Sequence, residues 1–226
     1  MLWIGQFGIA DGEAKEDTPW VGIYRDDDRE EDPSDLYVLV EPALPGSEEF
    51  CGEMKDAIGA IFHDTKASLT GGMLRALRSA HENLRDWNRR SLKEHRVAAG
   101  VSCVAVRDGE AFLAQVGPAS AAFYHAGKLT KIAPSVPDSV DALGLNEEFW
   151  PEFTRIELAD GDRLLVLSPG LAEAIPAKEM AAALTLDGEQ TLPELYRRAR
   201  DQQNAAALLI AAQGEQDPGT GNKDQG

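Results

Sequence analysis

Nucleophilic, metal-assisted and phosphate-cradling chemistries need particular residue types at short spacing, and this chain keeps such residues apart. His63, His81, His95 and His125 share no ligand spacing, so a zinc-type site has no support from them. His81 lies beside an apolar helical stripe and reads as a packed or boundary residue, not a base. Cys51 and Cys103 are distant and belong to no C-x-x-C pair, which points to two buried thiols in a reducing compartment. Ser168 precedes Pro169-Gly170 and stands in no G-x-S-x-G elbow. Gly71-Gly72 open a helical pattern without the strand and Lys of a phosphate loop. Arg85, Arg89, Arg90, Lys93, His95 and Arg96 form the longest basic cluster, interleaved with Asp86 and Glu94. At the end of a helix such charge offsets the dipole, and that account outweighs a phosphate site.

The elements that would carry these residues can be traced in order. Trp3 to Ile9 alternate as a strand ending in the turn Asp11-Gly12, and Trp20 to Tyr24 suggest a second. The acidic stretch from Arg25 to Asp35, with Pro33, reads as a solvated loop. Leu36 to Val40 is a buried strand delivered to a turn at Glu41-Pro42 and Pro45-Gly46. Ser47 looks like the N-cap of a helix reaching His63. In a second helix Met73, Leu77, Ala80, Leu84 and Trp87 recur at steps of four and three and form one apolar stripe. Ala99–Val106, Ala111–Val116 and Ala121–His125 follow as strands, divided by Asp108-Gly109 and Gly117-Pro118 and closed by Ala126-Gly127; this hairpin-like spacing favours an antiparallel sheet. After an irregular stretch over 134–153 come an edge strand over 153–158 and the run Arg163 to Ser168. Short helices are expected over 175–186 and 192–201, with Pro176 and Pro193 near their starts. Ala205–Ala212 is the last buried strand. From 213 onward the polar composition predicts a disordered tail, leaving residues 1–212 as one domain. The order implies an α+β fold, two antiparallel sheets face to face with helix pairs outside.

The chain has 226 residues, 39 acidic against 22 basic, for a net charge of −17, and 43% of its residues are hydrophobic. That is enough apolar surface for a core without disulfides or a structural metal. So much negative charge disfavours nucleic acid and anionic membrane as partners. No apolar run reaches the length of a membrane span and the first ten residues lack a leader's features, so a cytoplasmic location is expected.

Several segments, taken together, resemble the metal-dependent serine/threonine phosphatases of the PPM (type 2C) class over roughly residues 5–212. Gly161-Asp162-Arg163 to Ser168-Pro169-Gly170-Leu171 is similar to the family segment in which Gly-Asp opens a strand ending in Ser-Asp-Gly-Leu. Leu36 to Val40 with Glu41-Pro42 to Gly46 is similar to the strand ending in Asp-Gly-Met-Gly-Gly. Glu16-Asp17 resembles the acidic pair after the first strand, Val116 to Ala121 the Gly-Asp-Ser-Arg hairpin, and Gln202-Gln203-Asn204 the Asp-Asn pair before the last strand. The resemblance implies a four-layer α-β-β-α sandwich and, in an intact member, two Mg²⁺ or Mn²⁺ ions held by carboxylates that activate a water.

In the same alignment this chain is a degenerate member. Glu41 replaces the bridging Asp, Pro42 the adjacent Gly, Pro169 the Asp of Ser-Asp-Gly, and Gln203 the Asp before the last strand, while Gly12 stands where a phosphate-holding Arg would fall. Only Glu16, Asp17 and Glu41 keep a carboxyl, too little negative charge to overcome the repulsion between two divalent ions. The expectation is a catalytically silent module with no resident cofactor, acting on a protein partner in a signalling or regulatory circuit. A basic partner would be steered by the acidic surface. The alternative is a divergent Mg²⁺- or Mn²⁺-dependent phosphohydrolase using Glu16, Asp17 and Glu41 with one ion.

Overall fold

Three two-residue turns set the strand pattern. Asp11-Gly12 (φ +55° and +76°) joins β1 (Leu2–Ala10) to β2 (Glu13–Lys15), Asp108-Gly109 joins β5 (Ala99–Arg107) to β6 (Glu110–Val116), and Ala126-Gly127 joins β7 (Ser120–His125) to β8 (Lys128–Ile132). Two consecutive positive φ angles match the right-handed twist of a hairpin, which is why Gly ends each turn. The structure, a computed structural model, describes residues 1–15, 18–25, 34–135 and 141–213. Glu16 and Asp17 lie outside the described residues, as do 26–33 of the acidic stretch and all but Gln213 of the expected tail.

The remaining strands are β3 (Val21–Tyr24), β4 (Asp35–Pro42), β9 (Glu152–Glu157), β10 (Arg163–Leu167) and β11 (Ala205–Ala212). They form a six-stranded sheet, β2-β1-β11-β10-β7-β8, and a five-stranded sheet, β3-β4-β5-β6-β9. Every ladder is antiparallel. Helices α1 (Glu48–Asp64) and α2 (Leu69–Arg90) cover the five-stranded sheet; α3 (Pro169–Ala174), α4 (Ala177–Ala183) and α5 (Gly188–Ala199) cover the six-stranded one. The α+β four-layer sandwich expected from the sequence is the observed fold.

The core is divided accordingly. Leu36, Val38, Val40, Cys103, Met73 and Leu77 belong to one buried cluster that also takes in Leu164, Val166, Leu208 and Ile210. Leu165, Leu167, Leu171, Leu195, Leu209 and their neighbours form a second, beneath α3 to α5. Strand alternation sends successive residues of β10 and β11 to opposite clusters, so both faces of these central strands are apolar and buried.

Several details depart from expectation. Strands β2 and β8 carry no apolar alternation, Glu13–Lys15 being wholly exposed, and their ladders rest on the preceding turns. The β6–β7 link is a crossover between sheets, not a hairpin, since the two strands belong to different sheets. Ser168-Pro169-Gly170 starts α3 with Pro at its first position, where the missing N–H is harmless. Pro193 lies inside α5 because Asp187, accepting from Gln190 N at 3.0 Å, caps the helix a turn earlier. Ser47 occupies the N-cap position of α1 but makes no cap bond; its Oγ accepts from Ala98 N at 3.0 Å and ties the helix to the entry of β5. Trp87 leaves the core stripe, 49% exposed, and meets Phe50 edge-on at 4.9 Å. Both cysteines are buried and free, as the spacing predicted.

Candidate functional site

The segments singled out by the sequence converge on one end of the sandwich, from both sheets. On the six-stranded side, Gly12 N donates to Gln203 O at 2.8 Å and Asp11 N to Asn204 Oδ1 at 3.1 Å, pinning the first turn to the chain entering β11. A side chain at Gly12 would start 3.7 Å from the Gln203 amide, and one at Gly170 would start 3.8 Å from Gln202 Oε1. Ser168 closes the group: its N–H donates to Ala206 O at 2.9 Å and its Oγ accepts from Ala206 N at 3.2 Å. Gly12 and Gln203 are therefore neighbours in space, and the Ser168–Gly170 turn that contains Pro169 lies against the chain entering β11. With φ at +76°, residue 12 favours Gly, and an Arg there would pay the left-handed penalty of about 1 kcal/mol or more.

On the five-stranded side, Glu41 pairs with Gly100 and Pro42 with Ala99. Direct partners in an antiparallel ladder project to the same face. At Gly100 that face is filled by the β6–β7 crossover, since a Cβ there would lie 2.0 Å from Pro118 O. The opposite face of this sheet holds Tyr24, whose ring packs on Gly59 of α1. Glu41 therefore points between the sheets.

Its Oε1 is buried without a hydrogen-bond partner, although the residue keeps some surface. Burial pushes the Glu41 carboxyl up to about 8, because no neighbour compensates the charged form. The nearby thiol of Cys51 is pushed up to about 12, chiefly by burial and further by Glu41 and Glu48. Cys103 is raised by burial alone. Neither thiol has the depressed pKa of a nucleophile.

Other polar groups face the inter-sheet space and were not singled out beforehand. Gln115 Nε2 meets Ser102 Oγ at 3.5 Å in the row beside Leu39. Thr18 covers Gly8 of β1, where a Cβ would lie 2.5 Å from the Thr18 Cβ, and Gln6 on the same face of β1 has a buried, unpartnered Oε1. A signal was available: Gln6 and Gln115 interrupt apolar strands at inward parity, where a polar side chain is costly.

The donors found among the described residues do not suit a pair of divalent cations. Hard ions take several anionic oxygens, and the described segments offer amides at Gln203 and Asn204, a hydroxyl at Ser168, no side-chain donor at Pro42 or Pro169, and a single carboxyl at Glu41. Among the described residues no group of three or more His, Cys, Asp or Glu lies close enough to hold a metal ion.

At the level of sequence, no family model and no curated protein matches the chain. The fold does match. An S. agalactiae serine/threonine phosphatase superposes with a TM-score of 0.78 at 15% identity over 94% of this chain and 100% of that one. Stp1, a serine/threonine phosphatase from Staphylococcus aureus, gives 0.76 at 16% identity over 95% and 96%. PppA, described as a key regulatory component of T6SS in Pseudomonas aeruginosa, gives 0.71 at 16% identity over 93% and 97%. Another solved match is a PPM Ser-Thr phosphatase from Mycobacterium smegmatis, with a TM-score of 0.70. This chain accordingly has the fold of the PPM-type serine/threonine phosphatases.

Proposed function

We propose that the chain is a phosphatase-fold domain that works by binding, a pseudophosphatase whose metal-site positions Glu16, Asp17, Glu41, Pro42, Pro169 and Gln203 no longer support binuclear hydrolysis. The observation that carries this reading is Glu41. A bridging carboxylate gives up its proton to hold cations, and at Glu41 burial, with no partner for Oε1, opposes that loss and pushes the carboxyl up to about 8. Gln203 and Pro169, brought to the same end of the sandwich, add no charge. Such a domain suits a regulatory circuit in the cytoplasm, where its partner is another protein. Among the described residues no helix is long and apolar enough to cross a membrane.

Incubation of the pure protein with Mn²⁺ and p-nitrophenyl phosphate tests the reading. The expected result is no turnover above buffer, and no heat on titration with Mg²⁺ or Mn²⁺. Turnover that Glu41→Ala or Asp17→Asn abolishes overturns it in favour of a divergent one-metal phosphohydrolase.

A further inference from the structure

The outer face of α2 carries a second site, remote in kind from the inter-sheet end. Between Lys66 and Arg96 the chain has eight Lys or Arg against three acids, in a protein whose net charge is −17. Dipole compensation accounts for Arg89 and Arg90 in the last turn of α2. It does not account for Arg85, a turn earlier, or for Arg96, beyond the 3-10 turn Lys93–His95. Both meet Arg89 in one cleft of ≈ 130 Å³, floored by Asn88, Gly144 and Leu145.

The cleft is a built one. Asn88 is buried and uses its whole amide: Nδ2 donates to Val97 O at 2.8 Å and to Gly144 O at 2.9 Å, and Oδ1 accepts from Val97 N at 2.8 Å. Gly144, at φ +93°, donates to His81 Nδ1 at 3.2 Å and lies so near Leu84 that a Cβ would be 2.7 Å from the Leu84 Cβ. These bonds hold the segment after residue 141 and the start of β5 against α2, and so set the positions of Arg85 and Arg96. Arg85 is oriented by Nη1 donating to Glu147 O at 3.1 Å and has the exposed Glu147 carboxylate 3.9 Å from Nη2, Arg89 meets the exposed Asp86 at 3.3 Å, and Arg96 makes no ion pair among the described residues. Three guanidiniums outweigh the exposed Asp86 and Glu147 carboxylates together with the roughly half negative charge of the helix C-terminus, and the two exposed carboxylates can swing away from a ligand. Their planar forks suit a tetrahedral oxyanion.

Across the exposed ridge of α2 lies an apolar groove against α1, ≈ 270 Å³, lined by Phe50, Met54, Ala57, Leu84 and Trp87. A helix with its side chains is about 10–12 Å across, which an extended chain spans in about three or four residues. We propose that the arginine cleft binds a phosphoryl group borne on a protein segment, with a large apolar side chain about three or four residues away seated between α1 and α2. The partner is thus a phosphorylated polypeptide. The charge of the cleft selects the phosphoryl group, and the adjoining groove distinguishes a peptide from free phosphate. This inference does not rest on the silence of the inter-sheet site and holds for an active enzyme as well.

Fluorescence anisotropy with labelled Ala/Gly peptides bearing Leu and phosphoserine about four positions apart, in both orders, tests it. One order is expected to bind saturably, at least about tenfold more tightly than its unphosphorylated form, with affinity falling as salt rises. The double variant Arg85→Ala/Arg96→Ala should lose at least about tenfold, and Arg96→Lys, which keeps charge but not the fork, should lose part of that. Trp87→Ala should weaken the peptide but leave competition by inorganic phosphate unchanged. Melting curves matching the parent's show that the variants are folded. Equal binding of phosphorylated and unphosphorylated peptides overturns the proposal, as does binding unaffected by the double variant. Binding of inorganic phosphate or heparin without either peptide overturns the polypeptide source, and with it the proposal.

Discussion

The two ends of this molecule handle charge in opposite ways. Between the sheets, where the fold's strand ends converge, the one carboxyl among the described site residues has a buried, unpartnered Oε1 and is pushed by burial up to about 8. On the outer face of α2 three arginines share an open cleft in a strongly acidic chain. A buried charge is tolerated only with a partner, so Glu41, whose Oε1 has none, is held toward its neutral form. An exposed guanidinium stays solvated and costs the fold little, which leaves it available to a ligand.

Changes at the inner end should therefore act on stability and changes at the outer cleft on binding. The largest effect is expected at Gly100, where any side chain meets the Pro118 backbone at 2.0 Å. Gly100→Val should cost at least about 3 kcal/mol or prevent folding, read by urea denaturation; a loss under about 1 kcal/mol would show that the crossover does not close this end tightly. Next is Glu41. Its folded pKa, about 8, lies above the ordinary carboxyl value of 4.5, so between those values the folded state binds more protons than the unfolded. Stability contributed by the neutral form is present at low pH and falls as pH rises through that window, by up to about 1.4 kcal/mol per pH unit. Glu41→Gln should flatten this slope in melts taken from pH 5 to pH 8; an unchanged slope would contradict the buried, neutral carboxyl.

Asn88→Ala, which strands the Val97 and Gly144 backbone groups, should cost roughly 2–3 kcal/mol by chemical denaturation and, by loosening the cleft, reduce phosphopeptide binding as well. The smallest stability effect should come from Arg96→Ala, within about 0.5 kcal/mol, and a shift of the melting midpoint beyond about 2 °C would mean that the guanidinium supports the fold. Together the four sharpen the contrast: stability loss at Gly100 and a lost pH dependence of stability at Glu41, both without loss of peptide, against binding loss at Arg96 without loss of stability.

Much of the scaffold was legible along the chain. The step-four, step-three stripe placed α2, the compact run Leu36 to Val40 placed β4, and the residue-Gly pairs placed the turns that φ later required. The exceptions are instructive. Strands β2 and β8 have no apolar signature because they sit at a sheet edge and follow from their turns. The start of α5 depended on Asp187, a cap lying a turn before the proline that seemed to mark it. Trp87 fitted the helical period yet lies outward, because α1 approaches that flank of α2 and leaves a groove.

The residue types at Glu41, Pro42, Pro169, Gln203 and Gly12, and the expectation of a degenerate site that they raise, could be read from the chain. That Gly12 stands beside Gln203, and that Glu41 has a buried Oε1 without a partner, could not, since strand pairing joins residues almost two hundred positions apart. The arginine cleft shows the same division. Composition along the chain revealed the basic segment and made helix-end compensation a sufficient account of it. Only tertiary packing, through the Asn88 and Gly144 bonds, brought Arg96 beside Arg85 and gave the charge a concave shape. Local periodicity determines which elements form because their hydrogen bonds and apolar faces are set by near neighbours; a site depends on distances between elements, which long-range contacts alone decide.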